Sequence, residues 1–411
     1  MELLELFLNY HVDVHARDAS LKTPLHIACE YDNTDEFIKL LLKNKADVNV
    51  FDTYSRTPLH YAIANRNYAI VKLLLKYGAV ANSKDHQKIT PLHLACYKNC
   101  DERIIQLLLM HHADVNAMDK DFSTPFHILC YHENDTCGMF LQRELYQQKK
   151  MEIFRNKVKV IKLLLKHNAD VTMKDSKSRT PLQIGFQMNL NFELIQLLLE
   201  LNLDVNAVDD DLNAPLHYAC LYNQELPVIR LLLDHQADVN SKSKDGISPL
   251  EVAYTFYNLN LMRLLLRRNA DVNVKSNMSI PLIHRIIRER NGELFELFLE
   301  YNADVNIKDD SLTTPLHLAC QSKKNSVIFR LLLQHNADVN SLDIHSKSPL
   351  HVAAANDEPD YVVQLLEHHA KITEDVDHKT PIHYACFSHD TLSKILDYDD
   401  SFVSYFSDVH G

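Results

Sequence analysis

The sequence predicts an all-α repeat solenoid of stacked helix-turn-helix units. Three observations predict it: a recurring proline followed by Leu, Ile or Phe, a nearly constant interval between these prolines, and an apolar helical pattern after each one. The intervals are 32–34 residues, with one of 56. A fixed period in this range is typical of repeats that bury their apolar sides against each other. The eleven prolines are Pro24, Pro58, Pro91, Pro125, Pro181, Pro215, Pro249, Pro281, Pro315, Pro349 and Pro381.

Each period reads as a turn, a helix, a loop and a second helix, as the unit from Asp309 to Asn340 illustrates. Thr314 stands where an N-cap belongs and Pro315 where the helix starts, because the missing N–H of proline costs nothing in the first turn. Small and apolar residues at helical spacing predict a first helix that lies close to its neighbour: Leu316, Ala319 and Cys320. The second helix is predicted to bury Val327, Ile328, Leu331 and Leu332.

Composition and charge favour a foldable protein with protein partners. Hydrophobic residues make up 46% of the chain and charged residues 24%, and the net charge is −12. An acidic chain repels phosphate backbones, and Lys and Arg look scattered along the sequence, so we expect no nucleic-acid partner. No apolar run approaches the roughly 20 residues of a membrane span. We therefore expect a cytoplasmic protein, with a nuclear location as a second option, and neither a cofactor nor a small-molecule substrate.

The repeated motifs resemble one known family. TPLHIAC, TPLHYAI, TPLHLAC and APLHYAC, together with the ADVN that closes most units, resemble the ankyrin repeat from about Val12 to Leu396. The resemblance implies L-shaped units, each with two antiparallel helices and a projecting short β-hairpin. It also implies protein binding, rather than enzyme activity, as the usual function.

The chain departs from the family pattern at its glycines. At the hairpin tip, where the family places glycine, only Gly246 conforms. The other tips carry Leu21, Ser55, Lys88, Phe122, Ser178, Leu212, Met278, Leu312, Ser346 and His378. Either these tips bend differently, or the array tolerates about 1 kcal/mol of strain at each. After the second helix, Gly78 is kept, and asparagine, the next best residue for a left-handed terminus, replaces it at Asn168, Asn202, Asn269, Asn302 and Asn336.

We divide the chain into three parts. Residues 1–22 form an N-terminal half-repeat and first hairpin, 23–396 an array of about eleven units, and 397–411 an acidic C-terminal tail. The long interval places an insertion at 137–158, between the two helices of one unit. This stretch is helix-permissive and basic. It is either a docking finger or a tolerated surface insertion, because long loops cost little.

The recurring polar residues favour structural roles over chemistry. His-x-x-Cys occurs in six units, as at His317 and Cys320, but without the convergent ligands that zinc needs. The resemblance implies that this histidine ties neighbouring loops together, and we expect the eight cysteines to be free thiols. Aspartate recurs at one turn position in nine units, which predicts Asx-type turns and not a catalytic acid. No catalytic residue and no metal site is predicted.

Residues that vary between units at exposed positions are the candidates for recognition. The resemblance implies that the hairpin tips and the ends of the first helices line a concave side. On this basis we predict a partner-binding surface formed by Tyr54, Arg56, Tyr97, Tyr131, Asp210, Asp211, Tyr222 and Phe256. Asn116 and Asn206, each followed by alanine, are similar to sites modified by the asparaginyl hydroxylase that acts on ankyrin repeats.

These observations lead to one main hypothesis and two alternatives. The main hypothesis is a scaffold or adaptor that binds partner proteins. A substrate-recruiting adaptor for a ubiquitin ligase, or a host-directed effector, is the first alternative, although residues 390–411 contain no F-box-like or SOCS-type tail. The second alternative is a cytosolic fragment of a larger enzyme or channel, since Met1 begins within a unit.

Overall fold

The computed structural model describes residues 13–31, 35–131, 143–188, 190, 192–201, 203–275, 280–321, 323–386 and 388–398, without the side chains of 143–150 and 397–398. The half-repeat before residue 13 and the tail after residue 398 therefore lie outside the described residues. The chain divides into two compact units, Met1–Ala237 and Asp238–Gly411. Each unit is described by itself.

The described part of the first unit contains twelve α-helices, which form six pairs. In chain order they are α1 (Pro24–Glu30), α2 (Asp35–Lys43), α3 (Pro58–Ala64), α4 (Tyr68–Lys76), α5 (Pro91–Tyr97), α6 (Glu102–Met110), α7 (Pro125–Tyr131), α8 (Arg143–Lys166), α9 (Pro181–Gln187), α10 (Phe192–Leu199), α11 (Pro215–Leu221) and α12 (Leu226–Asp234).

The described part of the second unit continues the pattern with five pairs. They are α13 (Pro249–Thr255), α14 (Leu259–Arg267), α15 (Leu282–Arg288), α16 (Gly292–Glu300), α17 (Pro315–Ala319), α18 (Ser326–Gln334), α19 (Pro349–Ala355), α20 (Pro359–Glu367), α21 (Pro381–Ala385) and α22 (His389–Tyr398). Each odd-numbered helix and the helix after it form one repeat, so the pairs are repeats 1 to 11. The predicted all-α repeat solenoid is confirmed.

The first helix begins at the predicted proline in every repeat except repeat 8, where Pro281 is the N-cap and the helix starts at Leu282. In α17, Thr314 is the N-cap and Pro315 the first helical residue. The N–H of Thr314 donates to Nδ1 of His317 at 3.2 Å, and the N–H of His317 lies 3.5 Å from the Thr314 hydroxyl oxygen. This reciprocal capping satisfies two N–H groups that a helix start leaves without partners.

The second helix buries a slightly different face from the one predicted. In α18, Ile328, Phe329, Leu332 and Leu333 are buried. Val327, predicted to be in the core, is 45% exposed, and Leu331 is only partly buried. The prediction was wrong by one position along the helix, because a run of apolar residues allows two adjacent registers that periodicity alone cannot separate.

The turns between repeats are organised by the repeated aspartate. Oδ1 of Asp52 accepts the N–H groups of Tyr54 and Arg56, both at 2.8 Å. The same pair of bonds, to the second and fourth residues onward, occurs at Asp18, Asp85, Asp119, Asp175, Asp209, Asp309, Asp343 and Asp375. The predicted Asx-type turns are thus present in all nine units.

Consecutive tips are joined by main-chain hydrogen bonds. The N–H of Thr53 donates to the carbonyl of Ser20, and that of His86 to the carbonyl of Tyr54, both at 3.0 Å. The hairpins are therefore tight turns linked in series. Among the described residues, the only β-type pairing assigned is an isolated bridge between Lys275 and Pro281.

The tips keep the left-handed conformation without glycine. Lys88 has φ 58°, Phe122 56° and Leu212 58°, close to the 70° of Gly246. All nine non-glycine tips that are described have φ between 55° and 58°; Met278 lies outside the described residues. Of the two options left open by the sequence, the array therefore tolerates the strain, about 1 kcal/mol per tip.

Two further positions are left-handed in most of the repeats whose residues are described there. After the second helix, Asn168, Asn269, Asn302 and Asn336 have φ between 59° and 65°, as their amide side chains predicted. Asn202 lies outside the described residues. A second series follows the first helix in six repeats, and no glycine in the sequence predicts it: Arg66, Asn99, Asn223, Tyr257, Arg290 and Asp357.

Hydrogen bonds from two kinds of side chain, histidine and asparagine, join neighbouring repeats within each unit. Nε2 of the capping histidine donates to a carbonyl in the next turn, as His93 does to Ser123 at 3.0 Å. The asparagine of ADVN bridges to the next repeat: Nδ2 of Asn82 donates to the carbonyl of His112 at 2.8 Å, and its Oδ1 accepts the N–H of Asp114 at 2.7 Å. The tie that the family resemblance implied for the histidine is therefore present.

The insertion extends the second helix of repeat 4. Helix α8 has 24 residues, whereas α2, α4 and α6 have nine each. Residues 143–158 thus belong to the same helix as Lys159–Lys166 and do not form a separate loop, which makes α8 roughly 20 Å longer than its neighbours. Nδ2 of Asn156 holds this extension against repeat 3, with bonds to Oδ1 of Asn99 at 3.0 Å and the carbonyl of Cys100 at 2.9 Å.

Candidate interaction surface

At the second hairpin tip, Tyr54 and Arg56 form an exposed pair. The Tyr54 side chain is 59% exposed, and the Arg56 guanidinium lies 5.6 Å from its ring centroid. Nε of Arg56 also lies 3.6 Å from Oδ2 of Asp85, a carboxylate of the next turn. The pair is therefore accessible and partly fixed in orientation, as a recognition element requires.

Two predicted tyrosines lie at the ends of first helices. Tyr97, the last residue of α5, is 47% exposed, with Nζ of Lys98 at 5.6 Å from its ring centroid. Tyr222, which follows α11, is partly exposed and stacks on Tyr218 with ring centroids 6.2 Å apart. Each presents one ring face or edge to solvent, so that an incoming chain could pack against it.

Tyr131 is placed differently from the other predicted residues. Its hydroxyl bonds to Oδ2 of Asp175 at 3.1 Å and accepts from the Arg179 guanidinium. Arg179, itself buried, also pairs with Asp175 and donates to Oε1 of Gln187. Burial raises the pKa of Tyr131 to about 12, although Arg179 opposes this rise. This half-buried tyrosine joins repeats 4 and 5, so its contacts serve the fold.

Asp210 and Asp211 form an acidic tip in repeat 6. Both are exposed. Oδ1 of Asp210 accepts a hydrogen bond from the Ser178 hydroxyl at 2.5 Å, which links two successive tips. The N–H of Asp211 is held by Oδ1 of Asp209 at 3.0 Å. The two exposed carboxylates together give the tip its negative charge.

Phe256 belongs to the second unit, whereas the other seven predicted residues belong to the first. It follows α13 directly, where it is the C-cap, and it is exposed, as is the next residue, Tyr257. Sequence reasoning missed several other exposed apolar side chains at the tips and helix-one ends of the first unit. They are Leu21, Tyr31, Phe122, Leu212 and Leu221. Their position in the repeat carried the signal, because each occupies a slot that varies between units.

Comparison with models of protein families shows which family the chain belongs to. The family model described as ankyrin repeats (3 copies) matches residues 1–85, 150–243, 188–276, 250–343, 283–375 and 316–403. The model of the single ankyrin repeat matches residues 87–120. The chain belongs to the ankyrin-repeat family.

Solved ankyrin structures resemble this ankyrin-repeat protein. One is the ankyrin repeat domain of Bcl-3, whose structure describes it as a unique member of the IkappaB protein family. The two are 26% identical, with a TM-score of 0.46, and the match covers 59% of this chain and 98% of that chain. No curated protein sequence matches this chain significantly.

The two candidate hydroxylation sites are part of the inter-repeat ties of the ankyrin array. Nδ2 of Asn116 donates to the carbonyl of Asn168 at 3.1 Å, and its Oδ1 accepts the N–H of Asp170 at 2.7 Å. Nδ2 of Asn206 donates to the carbonyl of Gln236 at 3.1 Å. Hydroxylation at either asparagine stays a prediction, which mass spectra of peptides containing these residues would test.

Seven buried histidines in the described part of this ankyrin-repeat protein have structural roles and a lowered pKa. Burial lowers the pKa of His93 below its ordinary value, despite the bond to the Ser123 carbonyl. The same holds for His26, His60, His127, His317 and His351, and burial lowers the pKa of His284 to about 4. Across the part of the chain that the structure describes, no group of three His, Cys, Asp or Glu side chains is arranged to hold a metal ion.

The described cysteines are free thiols, and all but one are buried. They are Cys29, Cys96, Cys100, Cys130, Cys220, Cys320 and the exposed Cys386; Cys137 lies outside the described residues. Burial raises the pKa of Cys100 and of Cys130 to about 12, which leaves these thiols unreactive at neutral pH. None of the helices in the described ranges combines the length and apolar character that crossing a membrane requires.

Proposed function

We propose that this ankyrin-repeat protein is a scaffold or adaptor that binds partner proteins along the tips and helix-one ends of its first unit. One observation carries the proposal. Large aromatic and apolar side chains are exposed at slots where the repeats differ, whereas the residues that recur are buried or bonded within the array. Tyr31 and Phe122, for example, are 73% and 53% exposed.

The chemistry of these slots supports protein recognition. Aromatic and arginine side chains are the ones that most often dominate binding energy at protein interfaces. The rings of Tyr54, Tyr97 and Tyr222 offer large apolar areas with few rotatable bonds, so little entropy is lost when they are covered. The Arg56 guanidinium and the Asp211 carboxylate add charges of both signs, which would set the register and choice of partner.

The rigidity of the array supports the same proposal. Each tip is fixed by an Asx-type turn and by a main-chain bond to the next tip, so the exposed side chains are held at defined spacings before a partner arrives. Preorganisation of this kind reduces the ordering cost of binding. An extended polypeptide could therefore contact several repeats at once.

The test is a comparison of captured proteins between two triple variants. The surface variant carries Tyr54→Ala, Tyr97→Ala and Tyr222→Ala. The control variant carries Val80→Ala, Phe192→Ala and Val327→Ala, which also truncate exposed apolar side chains but lie on or after second helices. Affinity purification from cells with quantitative mass spectrometry measures what each variant retains.

We expect the surface variant to lose specific partners by at least about tenfold, since truncating a single hot-spot residue costs about 2 kcal/mol or more. The control variant should retain them. Equal retention by both variants would show that partners do not bind along the tips. If the unmodified chain captures no protein above background, the scaffold proposal itself fails.

A further inference from the structure

We propose that the outer side of the second helices in repeats 1–4 is a second docking surface, and that its partner is an acidic protein segment. We call this surface the basic face. It lies on different helices from the surface proposed above, and the two can be tested separately. It consists of the exposed side chains Lys39, Lys43, Lys72, Lys76, Arg155, Lys159, Lys162 and Lys166.

Helix α8 supplies half of the basic face as one continuous stripe. Arg155, Lys159, Lys162 and Lys166 are separated by four, three and four residues, which places them on one side of the helix. All four are exposed, and Val160, Ile161 and Leu164 are buried on the opposite side. The stripe is about 16 Å long, since each residue adds about 1.5 Å. Arg155 belongs to the insertion, so the extension of α8 lengthens the stripe.

The second helices of the neighbouring repeats add further cations beside the stripe on α8. Helix α2 packs against α4, α4 against α6, and α6 against α8. Lys39 and Lys43 on α2 are four residues apart, and so are Lys72 and Lys76 on α4. Between α4 and α6, the Tyr68 ring lies 5.1 Å from the Arg103 guanidinium and 6.0 Å from Nζ of Lys72. Helix α6 carries none of the eight side chains, but it packs between α4 and α8 and presents the exposed Arg103, so the basic side chains of repeats 1, 2 and 4 lie along one run of packed helices.

The charges of the basic face are only slightly compensated from within the described part of the chain, where Lys159 interacts electrostatically with Asp101. None of its eight side chains forms an ion pair with a described residue. Asp101, the N-cap of α6, is engaged by Arg103 through two bonds of 3.0 Å. The eight cations outnumber the five acids whose side chains are described on these helices or at the start of α6, which are Asp35, Glu36, Asp101, Glu102 and Glu152. The expectation that Lys and Arg are scattered is therefore wrong for this face, because residues up to 127 positions apart in sequence meet on it.

The basic face ends at repeat 5. The next second helix in the same unit, α10 (Phe192–Leu199), contains no Lys or Arg and has Glu193 in its first turn. Like charges held together on a surface repel each other unless something of opposite charge covers them. A cluster confined to four repeats of a chain with net charge −12 therefore indicates a partner with complementary charge.

Features of the basic face favour a polypeptide over a nucleic acid. Exposed apolar side chains lie on the same helices or directly after them: Tyr77 follows Lys76, Met110 ends α6, and Met151 lies one helical turn before Arg155. An acidic segment with interspersed apolar residues can use both kinds of contact. A nucleic acid offers phosphates on every nucleotide and would be repelled by the acidic remainder of the chain.

Binding of a defined peptide to the intact chain tests the proposal. The probe is a fluorescein-labelled 20-residue peptide of Asp and Glu with interspersed Leu and Phe, followed by fluorescence anisotropy at 50 and 300 mM NaCl. The face variant carries Arg155→Glu, Lys159→Glu and Lys162→Glu. The control variant carries the same charge change at exposed cations of the second unit: Arg267→Glu, Arg330→Glu and Lys371→Glu.

We expect the face variant to bind the peptide at least tenfold more weakly than the unmodified chain and the control variant to bind within twofold of it. Binding should weaken at 300 mM NaCl, because exposed charges are screened at that ionic strength. A peptide with Asn and Gln in place of Asp and Glu should not bind. Should the face variant misfold by circular dichroism, Arg155→Gln, Lys159→Gln and Lys162→Gln replaces it.

Three results would overturn the proposal. They are no binding of the acidic peptide at 50 mM NaCl, an equal loss in the face and control variants, and tighter binding of a 20-nucleotide single-stranded DNA than of the peptide. The Tyr54, Tyr97 and Tyr222 triple variant should bind the peptide normally. This result separates a failure of the basic face from a failure of the scaffold proposal.

Discussion

At the scale of single residues, the turn aspartate does more than its repetition predicted. Oδ1 forms the Asx-type turn, which the sequence indicated. Oδ2 of Asp52 accepts the Tyr61 hydroxyl at 2.5 Å, and the equivalent bonds from Tyr218 to Asp209 and from Tyr384 to Asp375 are 2.6 Å. Sequence reasoning missed this tyrosine role, because the bond joins residues nine apart that meet only after the chain has turned.

The sequence predicted the exposure of only some residues of the candidate surface correctly. Tyr97 and Tyr131 occupy the same slot in successive repeats, and both were predicted to be exposed. Tyr97 is exposed, whereas Tyr131 is bonded to Arg179, which lies 48 residues later. Repeat position predicts which way a side chain points. It does not predict a partner supplied by the variable residues of the next repeat.

Replacing a left-handed tip residue with glycine should stabilise the protein. Lys88 has φ 58° and is exposed, so Lys88→Gly relieves backbone strain and removes little packing. We expect the free energy of unfolding to rise by up to about 0.5 kcal/mol, which is the strain relieved less the extra chain entropy of glycine. Urea denaturation followed by circular dichroism measures the change.

The neighbouring Gln87 provides the matched control. It is also exposed, but it is not among the residues with positive φ. Gln87→Gly should therefore lower the free energy of unfolding by about 0.5–1 kcal/mol. Similar effects of the two substitutions would contradict the assigned cost of the left-handed tips.

At the scale of helices, the starts of the first helices could be predicted from the sequence, whereas the length of α8, the second helix of repeat 4, could not. Thr-Pro fixes the start because it satisfies N-cap and first-turn requirements locally. The insertion was predicted to lie between the two helices of repeat 4 and to be helix-permissive. Its described part, residues 143–158, is helical and continuous with the rest of α8. The sequence between residues 143 and 166 contains no Pro or Gly, so nothing in it ends the helix.

Helix α13 departs from the histidine cap, and its substitute carries a penalty. Glu251 takes the place of the histidine, and its Oε2 accepts the N–H of Ser248 at 3.1 Å. Burial raises the pKa of Glu251, although Ser248 and Arg285 oppose this rise. A carboxyl whose pKa is raised on folding favours the folded state at low pH, and this contribution is lost as pH rises through the folded value.

Glu251→Gln should therefore stabilise the protein at pH 7. Repeat 5 shows that glutamine can make the same bonds, because Oε1 of Gln183 accepts the N–H of Thr180 at 2.8 Å. We expect a gain of up to about 1 kcal/mol at pH 7, shrinking towards zero near pH 4, where the parent carboxyl is protonated. Urea midpoints of parent and variant at both pH values measure it. A less stable variant at pH 7 would show that the attraction between Glu251 and Arg285 outweighs burial.

At the scale of the whole molecule, the spacing of the prolines predicted the architecture. It did not predict the division into two units or the basic face. The eleven regularly spaced prolines were sufficient to predict the fold, because each repeat in a solenoid contacts only its neighbours. The division at Ala237 and Asp238 has no marker in composition or spacing. The basic face is equally hidden, because its members are one or two cations per period and become a cluster only when repeats are aligned.

Stability should fall as the solution is acidified from pH 6.5 to 4. Each of the seven buried histidines with a lowered pKa binds protons more readily when unfolded, so protonation draws the chain towards the unfolded state. The loss is about 1.4 kcal/mol for each histidine and each unit of pKa difference. Urea midpoints measured across this range should decrease steadily.

A single substitution can assign this acid sensitivity to the histidines. His93→Gln keeps a side chain that can cap the helix, as Gln183 does in repeat 5, and cannot be protonated in this range. The decline in stability between pH 6.5 and 4 should be shallower in the variant. An identical decline in both proteins would indicate that other groups cause the loss.

The left-handed tips have a consequence for protein engineering. Leu, Ser, Lys, Phe, His, Met and Gly all occupy this slot, and no tip carries Val, Ile or Thr. Branching at Cβ makes positive φ especially unfavourable, which accounts for the missing types. A combinatorial library randomised at the tips, with β-branched codons left out, would vary the chemistry of many loops while the scaffold stayed unchanged.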